Sequence, residues 1–528
     1  MEVNNQDVQV KKKGFNKLLA IIIAAAILLV GGSVAAFVLL DNSLKTKYFL
    51  SEKETMNMYA EQMKERYAPE LEWAEKSLEK PVENTYKLSA EMNMQLPSSG
   101  PITPDQILNN STLSIKSGVD RKEKIATAEI AGSFGNFEID GVNFFLTSDS
   151  MMLGLPFLKE VLQLKGEDFG KVMQQVDPTT FTGEEKIDFS MLFEGNVLPE
   201  KDLKYIEEEY GKFIYNAIPE EAFKSTKETV KIGNDNVDTE KITFHLTEKE
   251  VKSLLSDTLE KMAKDKRLKE IIHEYAVQQG SGPFVFAENS DLTISKEDFE
   301  EAYNTGIEEA INGLDDFVIP DGFTSTIWVK KDIIVKRDLS IEFGPSEDDL
   351  LTLYIKGHLN QDSKELAFEY DFGFVYDDVD QALTLEGTLA NNDGKIKDSI
   401  KVSVADMELS YKTDESLKKN KRDFDRTFSF VEPTGYTLEL FWTGNSEYDG
   451  DKMNSKHEIT VAGDDFEKDL VTLFIDKEST VKDSIKLPKE EDVKDVGSMS
   501  YEEMMTYFEN EVYPQFEEWL MSVIGFGF

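Results

Sequence analysis

The sequence predicts an α+β protein: an N-terminal transmembrane helix followed by curved antiparallel sheets covered by helices. Three observations predict it. Leu18 to Leu40 runs for 23 residues without a charge. Beyond it, long stretches alternate apolar and polar residues, the period of a half-buried strand. Between these stretches lie segments with apolar residues at helical spacing, several opened by Ser/Thr-x-x-Glu capping boxes.

The apolar run comes first. At 1.5 Å per residue it spans about 34 Å, enough to cross a hydrocarbon core of roughly 30 Å. Lys11, Lys12, Lys13 and Lys17 precede it and Asp41 follows. Positive flanks stay cytoplasmic, so residues 1–17 are expected as a cytoplasmic tail, 18–40 as the span and the remainder as extracytoplasmic. The competing expectation is a cleaved signal peptide, since Ser33-Val34-Ala35 has the small residues of a cleavage site. Against it, Phe37-Val38-Leu39-Leu40 carries the apolar run past that site.

A stalk helix is expected over 41–81: Ser51-Glu52-Lys53-Glu54 has capping-box form, Met56, Tyr59, Met63 and Tyr67 recur at helical spacing, and Pro81 ends it. The first α+β domain, 82–317, opens with strands at Tyr86–Leu96, Thr112–Ser117, Lys124–Ala131 and Phe137–Thr147, the last broken at the turn pair Asp140-Gly141. Helical pieces fill Phe157–Tyr215. A hairpin turns across Gly233-Asn234-Asp235-Asn236. Thr247 then caps a helix with Val251, Leu254, Leu255, Leu259 and Met262 on one face, and another helix runs from Ser295 to Gly313. The second domain, 318–528, is strand-rich, with hairpins marked by Asp393-Gly394 and Asp449-Gly450. It closes on a helix capped by Ser500 and bearing Met504, Phe508, Val512, Phe516, Trp519 and Leu520. That helix is expected to dock on the second-half sheet and to be kinked or broken at Pro514.

Composition excludes several function classes. The 528 residues hold 58 Lys and Arg against 102 Asp and Glu, a formal charge of −44. Nucleic acid is thereby disfavoured, because its binding depends on cations that neutralise phosphate. Residues 1–17 carry four Lys against Glu2 and Asp7, so the rest of the chain holds 54 basic and 100 acidic residues. No cysteine is present, which removes disulfides, thiolate catalysis and lipid attachment through Cys. The four histidines, His245, His273, His358 and His457, lack metal-site spacing. No Gly-x-Ser-x-Gly elbow occurs, and the Gly-rich segment Ala131–Asn136 lacks the Gly-Lys-Ser/Thr of a phosphate loop. Acidic clusters at Asp315-Asp316, Glu347-Asp348-Asp349, Asp377-Asp378 and Asn445–Asp451 read as solvated turns. The Asn445–Lys456 window in particular ends in Lys where a calcium loop needs a bidentate Glu. No catalytic, cofactor-binding or metal-binding residue is therefore assigned, and no cofactor is expected.

The strand through Phe144-Phe145-Leu146, the segment Met151-Met152-Leu153-Gly154-Leu155-Pro156, Gly166-Glu167-Asp168-Phe169-Gly170 and the post-anchor Tyr48-Phe49-Leu50-Ser51-Glu52-Lys53 together resemble uncharacterised single-pass membrane-anchored envelope proteins of Gram-positive bacteria. The order of strands and helices is also distantly similar to the half-barrel cradle of lipoprotein carriers. The resemblance implies a fold and a location; the one-faced strands and the Met-rich segments Met92, Met94, Met151 and Met152 point to a non-enzymatic, membrane-anchored extracytoplasmic protein, held by residues 18–40, with a lipid or hydrophobic segment as ligand in a sheet cradle. The alternative is a structural or interaction protein that docks a cationic protein partner through its acidic surface.

Overall fold

The computed structural model describes residues 43–93, 103–135, 137–193, 198–281, 284–285, 296–361 and 364–525. Its first helices are α1 (Leu44–Arg66) and α2 (Ala68–Glu79). Strands follow: β1 (Val82–Met92), β2 (Ser111–Asp120), β3 (Ile125–Phe134), β4 (Phe137–Leu146), β5 (Ser150–Gly154), β6 (Val161–Lys165) and the short β7 (Lys186–Ile187). After β8 (Phe223–Ile232) and β9 (Asp235–Leu246) come α3 (Glu248–Lys264), α4 (Lys266–Ser281), β10 (Phe284–Val285) and α5 (Lys296–Gly313). The chain then runs through β11 (Phe323–Lys330), β12 (Ile333–Ser346), β13 (Asp349–Gln361), β14 (Glu365–Tyr376), β15 (Val379–Asn392) and β16 (Lys395–Val404). It continues with β17 (Met407–Lys418), β18 (Lys421–Val431), β19 (Thr437–Asp449), β20 (Lys452–Gly463) and β21 (Val471–Val481). The last elements are β22 (Val493–Asp495), α6 (Tyr501–Tyr507) and α7 (Tyr513–Gly525).

Contacts divide the chain into two units interleaved in sequence: 1–62, 197–276 and 294–386 in the first, and 63–196, 277–293 and 387–528 in the second. In the first unit the meander β8-β9-β11-β12-β13-β14 is antiparallel throughout. One face of it carries the core. Ile242, Ile327, Ile334 and Leu259 are almost fully enclosed, with Val251, Leu254, Leu255 and Met262 of α3 on the same cluster, as the apolar stripe of that helix predicts. The start of α1 enters this core through Tyr48 and Phe49, beside the stacked pair Phe223 and Phe244 at 4.6 Å. The Tyr48 hydroxyl and Ser325 Oγ share a 2.6 Å hydrogen bond, and Thr55 Oγ1 accepts from the Ile334 amide at 2.9 Å.

The second unit is one long ladder in the order β16-β17-β18-β19-β20-β21-β1-β2-β3-β4-β5-β6, with β22 added in parallel. Its joint is the pairing of β1 with β21, from Val82↔Val481 to Met92↔Val471. Two-residue connections join β16 to β17, β17 to β18 and β19 to β20. Asp393 and Gly394, between β15 and β16, both have positive φ, the left-handed geometry such hairpins require.

This architecture corrects the expected α+β fold. Strand is the largest class among the described residues, and helices touch the long sheet of the second unit only locally, α7 along β4 and α2 on β19. The physical reason lies in the chain from Phe323 to Val481, where turn signals recur too often for a helix to intervene. Of the helices that the sequence encodes, α3, α5 and most of α4 belong to the first unit. No helix among the described residues is long and apolar enough to cross a membrane, and the stretch 18–40 lies outside them. Four local expectations are corrected as well. Ser51 does not cap a helix but sits buried within α1. Asp140-Gly141 is not a turn: it lies inside β4, where the register with β3 shifts. Val161–Lys165, expected as helix, is strand. The terminal helix packs Phe516 and Trp519 on Phe157, at 5.3 and 5.7 Å, and lies along β4 rather than on the second-half strands. Pro514 does not break it, because the wide turn Phe508–Val512 precedes α7.

Candidate binding face

On β16 to β20 the pairing places alternate residues of five strands in rows on one face. One row reads Val402, Leu409, Phe430, Leu438, and the next Ile400, Tyr411, Phe428, Leu440, Val461. The third is Asp398, Thr413, Arg426, Trp442, Ile459, and the fourth Ile396, Glu415, Phe424, Gly444, His457. The face therefore changes character along the strands. Its upper rows are apolar and open: Leu409 is 51% exposed and Leu438 41%, with Met407 and Val404 exposed at the strand ends. Five strands at about 4.8 Å give a width of roughly 19 Å. The opposite face bears Lys401, Ser403, Glu408, Ser410, Lys412 and Ser429, the solvated side of an alternating sheet.

The lower rows are closed by charge. Arg66 Nη1, at the end of α1, donates to both carboxylate oxygens of Asp398 at 2.8 and 2.9 Å. Arg422 donates through Nε and Nη2 to Glu70 of α2 at 2.7 and 3.1 Å, and through Nη1 to Glu415. Glu415 also accepts from Arg426 Nε at 2.8 Å and from Thr413 Oγ1 at 2.9 Å. Three guanidinium groups thus meet three carboxylates in a place with little water. Removing such ions from water is costly, and the fork-on-carboxylate geometry is what offsets it. Burial pushes the Asp398 carboxyl above its ordinary value despite Arg66. Burial acts the same way on Glu415, yet the hydrogen bond and charge of Arg426, with the charge of Arg422, bring it below.

Between charge and apolar rows sits an aromatic box. The Arg426 guanidinium lies over Phe424 and Trp442 at 4.4 and 4.7 Å. Trp442 Nε1 donates to His457 Nδ1 at 3.1 Å, and His457 Nε2 lies 2.9 Å from Ser455 Oγ. Spacing of two on one strand brings this Ser–His pair together, and the sequence reading missed it. The pairing does not make a nucleophile. An indole N–H on Nδ1 makes Nδ1 the acceptor, so Nε2 carries the proton and donates to the serine. In a catalytic triad the base must accept at that nitrogen while a carboxylate holds the other. Burial, then the charges of Lys477 and Arg426, hold the imidazole below its ordinary value and keep it neutral.

The other candidate residues are dispersed. His245 Nδ1 is 3.0 Å from Thr324 Oγ1 and His273 packs on Phe299, while His358 lies in β13. Asp377 and Asp378 form a hairpin turn at positive φ, and the Asn445–Lys456 window is the β19–β20 hairpin. Among the described residues no group of three His, Asp or Glu is placed to hold a metal ion. A polar cavity of about 390 Å³ lies beside Gly118 in the second unit, where Glu83 takes both Lys116 and Lys482 at 3.5 and 3.3 Å. Its charges are largely spent on one another.

No family model matches the chain, and no curated protein does. Solved structures that match include Pseudomonas aeruginosa OccK3 (OpdO), at 6% identity and a TM-score of 0.23 over 76% of this chain and 94% of that one. Pseudomonas aeruginosa OpdK with vanillate matches at 7% and 0.24, over 76% and 96%, and Acinetobacter baumannii OccAB3 at 6% and 0.23, over 76% and 98%. These are outer-membrane porin barrels of Gram-negative bacteria. The expected resemblance to Gram-positive single-pass envelope proteins and lipoprotein-carrier half-barrels is corrected accordingly. With it go the single-pass cell-membrane location and the function drawn from it, a membrane-anchored extracytoplasmic protein with a lipid cradle or an acidic docking surface. At such scores the likeness carries no argument about what this chain does.

Proposed function

We propose that this chain is a non-enzymatic binding protein that takes a small, elongated apolar or aromatic ligand flat against the open rows of β16 to β20. One observation carries the reading. Two consecutive cross-strand rows are apolar across these strands, Leu409 and Leu438 stand open on the first, and Met407 is exposed at the strand end beyond it. Apolar surface of this kind is stabilised when a partner removes it from water, at about 25 cal/mol per Å². The aromatic side chains Tyr411, Phe428 and Phe430 favour planar or chain-like ligands that lie on ring faces. The negative charge of the chain speaks against nucleic acid.

The test uses N-phenyl-1-naphthylamine, a neutral apolar fluorophore, titrated into the full chain. Leu409→Asp and Leu438→Asp, each checked for an unchanged far-UV spectrum, should weaken binding by about tenfold or more, the effect of placing a charge against an apolar ligand. Glu439→Ala, on the opposite face, should leave it unchanged. Equal affinity in all three variants would sink the proposal.

A further inference from the structure

The segment from Arg66 through α2 is fastened to its sheet by charge more than by apolar contact. Pro69 is the buried residue of α2, whereas Leu71 and Leu78 are 48% and 57% exposed. What holds it is Arg66 on Asp398, Glu70 on Arg422, Arg422 on the Arg66 carbonyl, Tyr67 over the Arg422 guanidinium at 5.2 Å, Trp73 against Tyr448 at 6.5 Å, and at the exposed end Lys76 on the Gly450 carbonyl and Asp451. At Tyr67 the backbone leaves helical geometry, with φ −115° and ψ 23°, so α1 and α2 are separate rods joined at one residue.

The charges divide in an unusual way. The sheet supplies Arg422 and Arg426 against Glu415 and Asp398, and the helical segment supplies Arg66 against Glu70. Each side is neutral by itself. Separating a buried pair is expensive when one half is left charged and unmatched. Here Arg426 and Arg422 stay on Glu415 when the helices leave, while Arg66, Glu70 and the Asp398 carboxylate pass into water. Ser446, 6% exposed, sits in the same cross-strand row as Arg422, the residue that Glu70 and Tyr67 of the segment engage.

We infer that Arg66 through α2 is a strap that lifts from its sheet while the second unit stays folded, baring Ser446 and its neighbours below the open rows. The lifting stands on this geometry alone. Its use, a longer face for the ligand, rests on the binding reading above.

The absence of cysteine gives a clean measurement, because Ser446→Cys would be the sole thiol of the full chain. Its reaction with a maleimide should be faster than global unfolding allows and nearly independent of low urea, the signature of local opening. Adding Asp398→Asn should raise the rate by about tenfold, as loss of a charge-assisted bond predicts. Glu70→Gln provides a second route if that variant folds poorly. The exchange Arg66→Asp with Asp398→Arg should bring the rate back toward the parent. Ser150→Cys, 2% exposed in the same unit, is the control and should react only with unfolding. Equal rates with equally steep urea dependence at both thiols would overturn the strap, as would acceleration of both by Asp398→Asn. Fast labelling without fluorophore binding would leave the strap standing and remove only the ligand.

Discussion

At the scale of single residues, His457 shows how a neighbour decides a role. The indole of Trp442 fixes its tautomer, and burial keeps it uncharged. The sign of its linkage to stability follows. The unfolded chain takes up the histidine proton near the usual 6.5, whereas the folded chain resists until a lower pH. The contribution of His457 is therefore complete above about 6.5 and falls away as the pH drops below it. Urea unfolding between pH 7.5 and 5 should show this loss, and His457→Gln should flatten it. A His457 resonance, identified by its loss in His457→Gln, that titrates above 6.5 in the folded protein would contradict the argument. Sequence reading had no access to this arrangement. Ser455 and His457 are close in the chain, but the donor that settles their chemistry comes from a neighbouring strand.

At the scale of elements, the terminal helix illustrates what patterning can and cannot deliver. Ser500 caps it through the Glu503 amide, as the Ser-x-x-Glu box predicts. Its partner was not legible, because an amphipathic stripe states that a surface is needed without saying which. Phe516 and Trp519 are half-buried against Phe157, so Trp519→Ala should cost roughly 1–3 kcal/mol, below the 3–5 kcal/mol of a fully enclosed aromatic. A melting temperature unchanged within error would show the helix to be undocked. Strands and hairpins were the readable part: the expected strand Thr112–Ser117 lies within β2, Asp393-Gly394 is a turn, and Asp449-Gly450 opens the β19–β20 hairpin. Pairing was unreadable where it is remote. Arg66 and Asp398 are 332 residues apart, and nothing local in either segment announces the other.

At the scale of the whole molecule, a charge of −44 acts on every part of the chain at once. Like charges repel in the folded state, and salt relieves them. Raising ionic strength from 0.01 to 0.15 M shortens the screening length from about 30 to 8 Å. The melting temperature should rise over that range, since the buried pairs around Arg422 are screened far less than the surface acids. A fall would mean that exposed ion pairs outweigh net repulsion.

The junction of β1 with β21 has a consequence in time. A ribosome that has finished β1 at Met92 must add 379 residues before Val471, the start of its second neighbour, exists. At 5–20 residues per second that is roughly 20 to 75 s of synthesis. Through that interval β2 can protect one side of β1, but the other side presents eleven residues of unpaired backbone to every other nascent chain nearby. The join that completes the sheet is therefore also the step at which an unfinished molecule is most exposed to the wrong partner.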